Sequence, residues 1–460
     1  MKRSFLVLAA GKGKRMKTSI PKVLHKLCGK PILSYLIETL KELEGSVGIV
    51  VGYRGEMIAR LFGGDVEIIW QREQKGTGDA VRVAYDFWKD GDLLVVLPGD
   101  VPLVSSKTLR DLISHHGREG NAITFLSVVL DDPSGYGRVI RKEGGSVLKI
   151  VEDTDVSDEE KEVKEVNAGV YAFSVSFLLK FIAELGDENA QGEYYITDLI
   201  EIAVQEGFKV DALPVSDPLE VMGINDRKAL AFLEKELIRR KIDKLMLEDG
   251  VTIKDPGSTY IHPDVNIGKD TVIYPMTFIE GKTSIGERCR IGPNVRIIDS
   301  DIEDDVLVRE NVVMEECKIS RGCEVGPFAY LRPGTVLDEG AYVGKFVEVK
   351  KSFIGKKSKV PHLSYIGDAT IGERVNVGAG TITCNYDGVR KNPTYIEDDV
   401  FIGSDTMLVA PVKLGKGAMT GAGSVITKDV PPDSLAIARS RQVNIEGWAR
   451  KKRGGKRNDG

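Results

Sequence analysis

Residues 6 to 16 read LVLAAGKGKRM: an apolar run, two alanines, then Gly11 and Gly13 among the cations Lys12, Lys14 and Arg15. Glycines let backbone amides close on an anion. Lys22 adds a further cation shortly after. Together these residues suit a triphosphate. The pattern is not the dinucleotide G-x-G-x-x-G, because Met16 takes the third slot, nor a Walker loop, because no GK[ST] follows. Asp100 ends a second apolar run, VVLPGD, where an acid can hold a divalent cation among phosphate oxygens. Taken alone, it is as well read as a turn residue before Val101 and Pro102. The third candidate is His362, in VPHLSYIGD. A histidine side chain titrates near neutrality, which suits a general base. His362 reads as part of a polar insertion, with Arg332, Lys350, Tyr365, Asn376, Asn385 and Tyr386 as polar company in an otherwise aliphatic region.

Only five histidines exist. His25 follows the Lys22 loop, His115 and His116 are expected at the surface end of a helix, and His262 precedes Pro263. Cys384 stands beside Asn385, but no partner base is evident at that spacing, so no nucleophilic role is assigned to it. Cys28, Cys289, Cys317, Cys323 and Cys384 form no CxxC pair and imply no disulfide framework; reduced thiols are expected.

The elements that must position these groups follow two different patterns. Up to about residue 225, short apolar runs alternate with helical spacing. Strands are expected at 5–8, 47–51, 93–97, 122–129 and 168–173, and a helix at 32–43. These are βαβ units on a mainly parallel sheet, whose ligands sit at the carboxyl ends of strands. Residues 226–248 hold no Gly or Pro, and Leu230, Leu233, Leu237 and Leu245 recur at helical spacing, which predicts a linker helix within 226–250.

After Gly250 the pattern changes to phased pairs: Ile267-Gly268, Ile285-Gly286, Ile291-Gly292, Val325-Gly326, Val343-Gly344, Ile366-Gly367, Ile402-Gly403 and others. From 286 to 292 is six residues and from 326 to 344 is eighteen. A six-residue period of aliphatic-then-Gly predicts a hexapeptide β-helix over 251–460, with each aliphatic turned into a triangular core. The steps 344 to 355 (eleven) and 378 to 403 (twenty-five) break the period, and the second predicts an excursion loop carrying NYDGVRKN, residues 385–392. The tail 451–460 is basic and Gly-rich and reads as disordered.

Composition narrows the class. The chain has 460 residues, 42% hydrophobic and 29% charged, with a net charge of −5. That is a multidomain globular protein and not a dedicated nucleic-acid binder. The apolar stretch 5–10 is too short for a signal peptide, and no stretch reaches ~18 apolar residues, so no membrane association and a cytoplasmic location are expected.

The set LxxGxGxRM, Pro21-Lys22 and LPGD resembles the sugar-1-phosphate nucleotidyltransferases. QREQKGTGDA (71–80), GYGR (135–138), IVED (150–153), NAG (167–169), QGEYYITD (191–198) and GIND (223–226) sharpen the likeness. With the β-helix, the whole chain resembles the bifunctional bacterial enzymes that make UDP-N-acetylglucosamine, from Leu8 to EGWARKK at 446–452. The resemblance implies an α/β Rossmann-like uridyltransferase domain, 1–225, and a left-handed parallel β-helix N-acetyltransferase domain, 251–460. It implies UTP, N-acetylglucosamine-1-phosphate, glucosamine-1-phosphate and acetyl-CoA as substrates, and Mg²⁺ as cofactor. Flat-sided β-helices of this type pack in threes, so a homotrimer is also implied, with some site groups meeting across a subunit boundary.

Residue roles follow from the same resemblance. Arg15 and Lys22 would act on the phosphates, with Asp100 and Asn225 holding Mg²⁺. Leu8, Ala9, Ala10, Gly11, Gln71, Gly76 and Thr77 would bind the nucleotide, with Gln71 pairing to an imide edge through both donor and acceptor. Gly99, Gly137, Glu152 and Asn167 would bind the sugar. Pro98 stands where some relatives have Tyr, and Ala168 where many have Thr. His362 would be the general base, with Glu348 orienting it. Arg332 and Lys350 would hold the sugar phosphate. Tyr365, Asn376, Asn385 and Tyr386 would bind the sugar and the acetyl end. Ala379, Ser404, Ala422 and Arg439 would line the coenzyme A groove. Two other classes stay open: a monofunctional nucleotidyltransferase with a purely structural β-helix, and a trimeric β-helix scaffold with no enzymatic role.

Overall fold

A computed structural model describes residues 2–454. The chain divides into two units between Glu236 and Leu237, inside the helix Arg227–Leu247. That helix buries Leu233, Ile238, Ile242 and Leu245. Its inner face therefore includes two isoleucines, where the leucine spacing pointed to Leu230 and Leu237.

In the first unit, nine strands share one sheet: β1 (Arg3–Ala9), β2 (Ser46–Val51), β3 (Glu67–Trp70), β4 (Leu93–Pro98), β5 (Ile123–Val129), β6 (Arg138–Arg141), β7 (Val147–Val151), β8 (Glu165–Ser174) and β9 (Val210–Pro214). Their order is β9-β5-β8-β4-β1-β2-β3, with the β6–β7 hairpin attached to β8. β1 pairs parallel with β2 and β4, β2 with β3, and β5 with β9. The sheet is nonetheless mixed, because β8 runs antiparallel to β4, β5 and β6. The cause lies between β5 and β8. A hairpin stands there in place of a crossover helix, and a parallel return needs such a crossover. One apolar layer covers each face of the sheet, the first around Phe5, Val7, Leu36 and Leu97, the second around Leu6, Trp88, Val96 and Phe173.

His116 departs from expectation. It lies on the helix Ser106–Glu119, which buries Leu109, Leu112, Ile113 and His116, so it continues the buried face at helical spacing. Its ring nitrogens meet Thr124 Oγ1 at 3.0 Å and Ser174 Oγ at 3.1 Å. Burial holds its pKa down, at about 4.

The second unit coils through three parallel sheets of 11, 10 and 9 short strands. This is the left-handed hexapeptide β-helix. Ile253, Ile273, Ile291, Val308, Val325, Val343 and Val360 stack in register as one buried column. Within the step of eleven, Val349 fills the missing inward place and Lys350 pairs in register with Gly367 of the next coil. No residue is inserted at His362 either, because Val360 and Ile366 point inward on both sides of it. The twenty-five-residue step does contain the loop 385–392, between strands Ile382–Cys384 and Thr394–Ile396. Trp448–Gly454 forms a short helix, so the first residues of the basic tail are ordered; 455–460 lie outside the described residues. No disulfide joins any of the five cysteines.

Candidate functional site

The parallel strands of the first unit open at their carboxyl ends into a cleft of about 1010 Å³. Leu8, Ala9, Ala10, Gly11, Lys12, Gly13, Lys14 and Arg15 form one wall; Lys22, Gln71, Gly76, Thr77, Asp100, Glu152, Asn167 and Asn225 complete it. Gly99 and Gly137 stand behind this wall. Gly99 N donates to Leu8 O at 2.9 Å, and Gly137 O accepts from Asn167 N at 2.8 Å.

At one point in the cleft the Lys22 ammonium bonds to both Asp100 Oδ2 and Asn225 Oδ1, the latter at 3.1 Å. A carboxylate oxygen and an amide oxygen thus aim at one cationic centre. A hard cation with phosphate oxygens as further ligands fits that donor set, because Mg²⁺ sites commonly use one or two protein oxygens plus phosphates.

Gln71 is buried, and its amide nitrogen donates to Gly76 O at 3.2 Å and Asp79 Oδ2 at 2.7 Å. Those two acceptors fix which end of the amide faces them. Both N–H groups are spent, so Gln71 can meet an imide only through its oxygen, contrary to the expectation of a two-way pairing. Thr77 Oγ1 accepts from Ile196 N at 3.0 Å. At the other end, Glu152 Oε1 accepts from Thr197 Oγ1 at 2.9 Å. Burial pushes the Glu152 pKa up. Asp198, next to Thr197, is raised to about 6 by burial and by the charges of Glu152, Glu201 and Asp155.

On the β-helix the repeat places side chains in columns. Arg332, Lys350 and Gly367 follow the inward residues Leu331, Val349 and Ile366 of three successive coils. Lys350 is 9% exposed. The Lys391 ammonium comes against it from the excursion loop and is held below its ordinary pKa by that contact. Two adjoining ammonium groups, one largely buried, could hold an anion between them. Lys391 was not singled out from the sequence; the cue was a cation inside the loop that interrupts the coil. A Cβ on Gly367 would stand 2.5 Å from Tyr365 Oη and 2.7 Å from Asn385 Nδ2, so those two groups converge there. Asn385 Nδ2 donates to Asp368 Oδ2 at 2.5 Å.

Glu348 does not orient His362. Its carboxylate accepts from Arg332 at 2.8 Å, since a guanidinium one coil away is the stronger partner. His362 Nδ1 is buried and has no hydrogen-bond partner among the described residues. Tyr386 is exposed and donates to Gly388 O at 2.7 Å, and Asn376 pairs in register with Lys359 on another sheet. Asn376 is thus not brought to the Lys350 column within one chain, whereas the Tyr386 backbone pairs with Lys391, which meets Lys350.

A second column starts from His362 itself. Lys359 pairs with Asn376, Val377 with Ile402, and Ile402 with Thr420. Two or three steps on, His362, Ala379, Ser404 and Ala422 occupy the same position of four successive coils. The glycines at the turns permit this stacking, since a Cβ on Gly378 would stand 2.5 Å from Ser404 N and one on Gly403 2.6 Å from Ala422 N. Arg439 closes the column by donating to Ala422 O at 2.7 Å. Small side chains along this edge leave an open strip that begins at the histidine.

Three family models match parts of the chain: the MobA-like NTP transferase domain over residues 5–139, the GMPPB C-terminal domain over 256–337, and the bacterial transferase hexapeptide (six repeats) over 393–428. The chain is 53% identical over 448 residues to the bifunctional protein GlmU of Thermotoga maritima, covering 97% of this chain and 99% of that protein. It is 50% identical over 446 residues to the protein of the same name from Carboxydothermus hydrogenoformans, covering 97% and 99%. The Thermosipho africanus protein of that name is 49% identical over 464 residues, covering 98% of each chain.

Proposed function

The chain belongs to the family of bifunctional GlmU proteins, and from that premise we propose that residues 1–225 carry its uridylyl transfer and residues 251–460 its acetyl transfer, joined by a linker at 226–250. The protein is a bifunctional enzyme of UDP-N-acetylglucosamine synthesis. It moves an acetyl group from acetyl-CoA to glucosamine-1-phosphate and a uridylyl group from UTP to N-acetylglucosamine-1-phosphate.

In the cleft, the sugar phosphate attacks the α-phosphorus of UTP, one P–O bond forms, and the bond to pyrophosphate breaks. The phosphate is mostly a dianion at pH 7, because its second pKa is about 6, so no protein base is required. The protein contributes position and positive charge. The glycine turn with Arg15 takes the triphosphate, Lys22 the phosphates near the reacting centre, and Gln71 and Thr77 the uracil side. Glu152 and Asn167 hold the sugar, with the Gly137 carbonyl tied to the Asn167 backbone behind them. Asp100 and Asn225 would hold Mg²⁺, which when bound supplies neutralisation of phosphate charge.

On the β-helix, the amine of glucosamine-1-phosphate attacks the thioester carbonyl. His362 takes the amine proton, a C–N bond forms, the C–S bond breaks, and the proton passes to the departing sulfur, so that CoA leaves as the thiol. Lys350, Lys391 and one arm of Arg332 hold the sugar phosphate; Tyr365 and Asn385 hold the sugar. The carrying observation is the column His362, Ala379, Ser404 and Ala422, which puts the base at one end of a strip of small residues suited to coenzyme A. Asn376 and Tyr386 would reach the acetyl end from a neighbouring subunit of a homotrimer. Exposed Phe278, Phe328, Phe346, Phe353 and Phe401 on the coils support such packing. No helix among the described residues is long and apolar enough to cross a membrane, and we place the enzyme in the cytoplasm.

The test supplies glucosamine-1-phosphate, acetyl-CoA, UTP and Mg²⁺ and follows CoA and pyrophosphate separately. Release of both is expected. Pyrophosphate only on addition of N-acetylglucosamine-1-phosphate, with no CoA at any time, would reduce the β-helix to a structural rod.

A further inference from the structure

A third polar side chain reaches the sugar end of the cleft beside Glu152 and Asn167. β8 slips against β5 between Asn167 and Tyr171: Asn167 faces Ser127 while Tyr171 faces Phe125, so four steps on one strand match two on the other. Gly169 sits in that bulge at φ 76°, and a Cβ there would lie 3.0 Å from Pro98. Residues four apart on a regular strand are separated by about 13 Å. Here Asn167 Nδ2 donates to Tyr171 Oη at 2.5 Å. A bulge beside a site commonly serves to re-aim side chains.

Tyr171 is 3% exposed, yet it lines the cleft. Its ring stacks on Phe173 with centroids 5.6 Å apart and leans on Phe125 at 6.3 Å. A phenylalanine would pack there equally well, so packing does not explain the hydroxyl. The oxygen accepts from Asn167 and keeps its own proton to give; among the described residues no protein acceptor takes that proton. Burial and the charge of Glu152 push its ionisation far above the ordinary range, so it stays a donor at working pH. Asn167 is fixed at both ends, because its Oδ1 accepts from Gly169 N at 3.0 Å.

We propose that Tyr171 is a further sugar-recognition residue of the uridylyltransferase cleft, donating its hydroxyl proton to an oxygen of N-acetylglucosamine-1-phosphate while it holds the Asn167 amide in place. This rests on the assignment of Glu152 and Asn167 to the sugar made above.

The experiment is steady-state kinetics of the full-length enzyme with Tyr171→Phe, Asn167→Ala and the double variant, each with UTP and with N-acetylglucosamine-1-phosphate varied. Tyr171→Phe keeps the ring packing. It should raise KM for the sugar phosphate about tenfold, the scale of one lost hydrogen bond plus an unpaired donor, with KM for UTP changed less than twofold. The double variant should be weaker than Asn167→Ala alone, because the tyrosine makes its own contact. Sugar KM within twofold of wild type in Tyr171→Phe, an equal rise in both KM values, or a double variant no worse than Asn167→Ala each overturns the proposal. If Asn167→Ala also leaves the sugar KM unchanged, the assignment of this end of the cleft to the sugar fails first.

Discussion

The two units build their sites by opposite means. In the first, the polar groups come from separate strand ends, turns and helix starts, and the groups find one another: Lys22 with Asp100 and Asn225, Gln71 with Asp79, Glu152 with Thr197. The result is an enclosed cleft whose hydrogen bonds are largely satisfied inside one chain. In the second, a repeat sets the same step of successive coils above itself, and whatever stands at that step becomes a column on an outer edge. The histidine there keeps a buried nitrogen without a partner among the described residues, and two lysines adjoin one another. Closed sites are built by topology and open ones by periodicity. An open column is finished only by what comes to lie on it, a substrate or another subunit.

Removing one group from each site tests that division. His362→Ala should cut acetyl transfer by ~10²–10⁴-fold, the usual contribution of a general base, with pyrophosphate release from N-acetylglucosamine-1-phosphate and UTP unchanged. Asp100→Ala should cut uridylyl transfer by ~10²–10³-fold, the scale of losing one preorganised charge-stabilising group, with CoA release unchanged. A folded variant of either kind that lost both activities would mean that the units do not work separately.

The open column gives a smaller expected effect. Lys391→Ala should raise KM for glucosamine-1-phosphate about tenfold, as expected for one lost charged hydrogen bond, and leave KM for acetyl-CoA unchanged. The wild-type affinity should weaken with added salt, because an exposed ammonium is screened, and the variant should show a shallower dependence. Equal salt dependence in the two proteins would remove Lys391 from the anion site.

Periodicity was also what made the second unit legible from residues alone. The aliphatic-glycine pairs disclosed the three-sided coil, and the polar residues around His362 in an otherwise aliphatic region marked the site. Partnership was not legible. Glu348 stood at a plausible distance from His362 in sequence, but only the coil register puts it beside Arg332. In the first unit, strand ends and their glycines were readable, whereas the direction of β8 was not, since a hairpin and a crossover helix can both span 130–164. Tyr171 read as one more aromatic in a buried strand, because a bulge leaves no mark in composition except Gly169. His116 escaped for a related reason: two adjacent histidines near a helix end look solvated until the helix phase is known.

The smallest effect concerns the enclosed site alone. Asp198 opens the helix Asp198–Gln205, where a carboxylate is ordinarily favoured by the exposed amides of the first turn. Its pKa is nevertheless raised to about 6, by burial first and then by Glu152, Glu201 and Asp155. An acid whose folded pKa lies above its unfolded value of about 3.9 destabilises the fold once ionised. That cost is absent below about pH 4, grows as pH rises toward 6, and is fully present above it. Asp198→Asn removes the charge, so it should stabilise the protein at pH 8 by on the order of 1–2 kcal/mol and do little at pH 4.5. Urea midpoints at the two pH values measure the difference. An equal gain at both would assign the effect to amide packing, and the acidic surroundings of Glu152 would then carry no strain. On the open column the Arg332–Glu348 pair is part-exposed and should show no counterpart: Glu348→Gln should change stability by less than ~1 kcal/mol, as for exposed ion pairs.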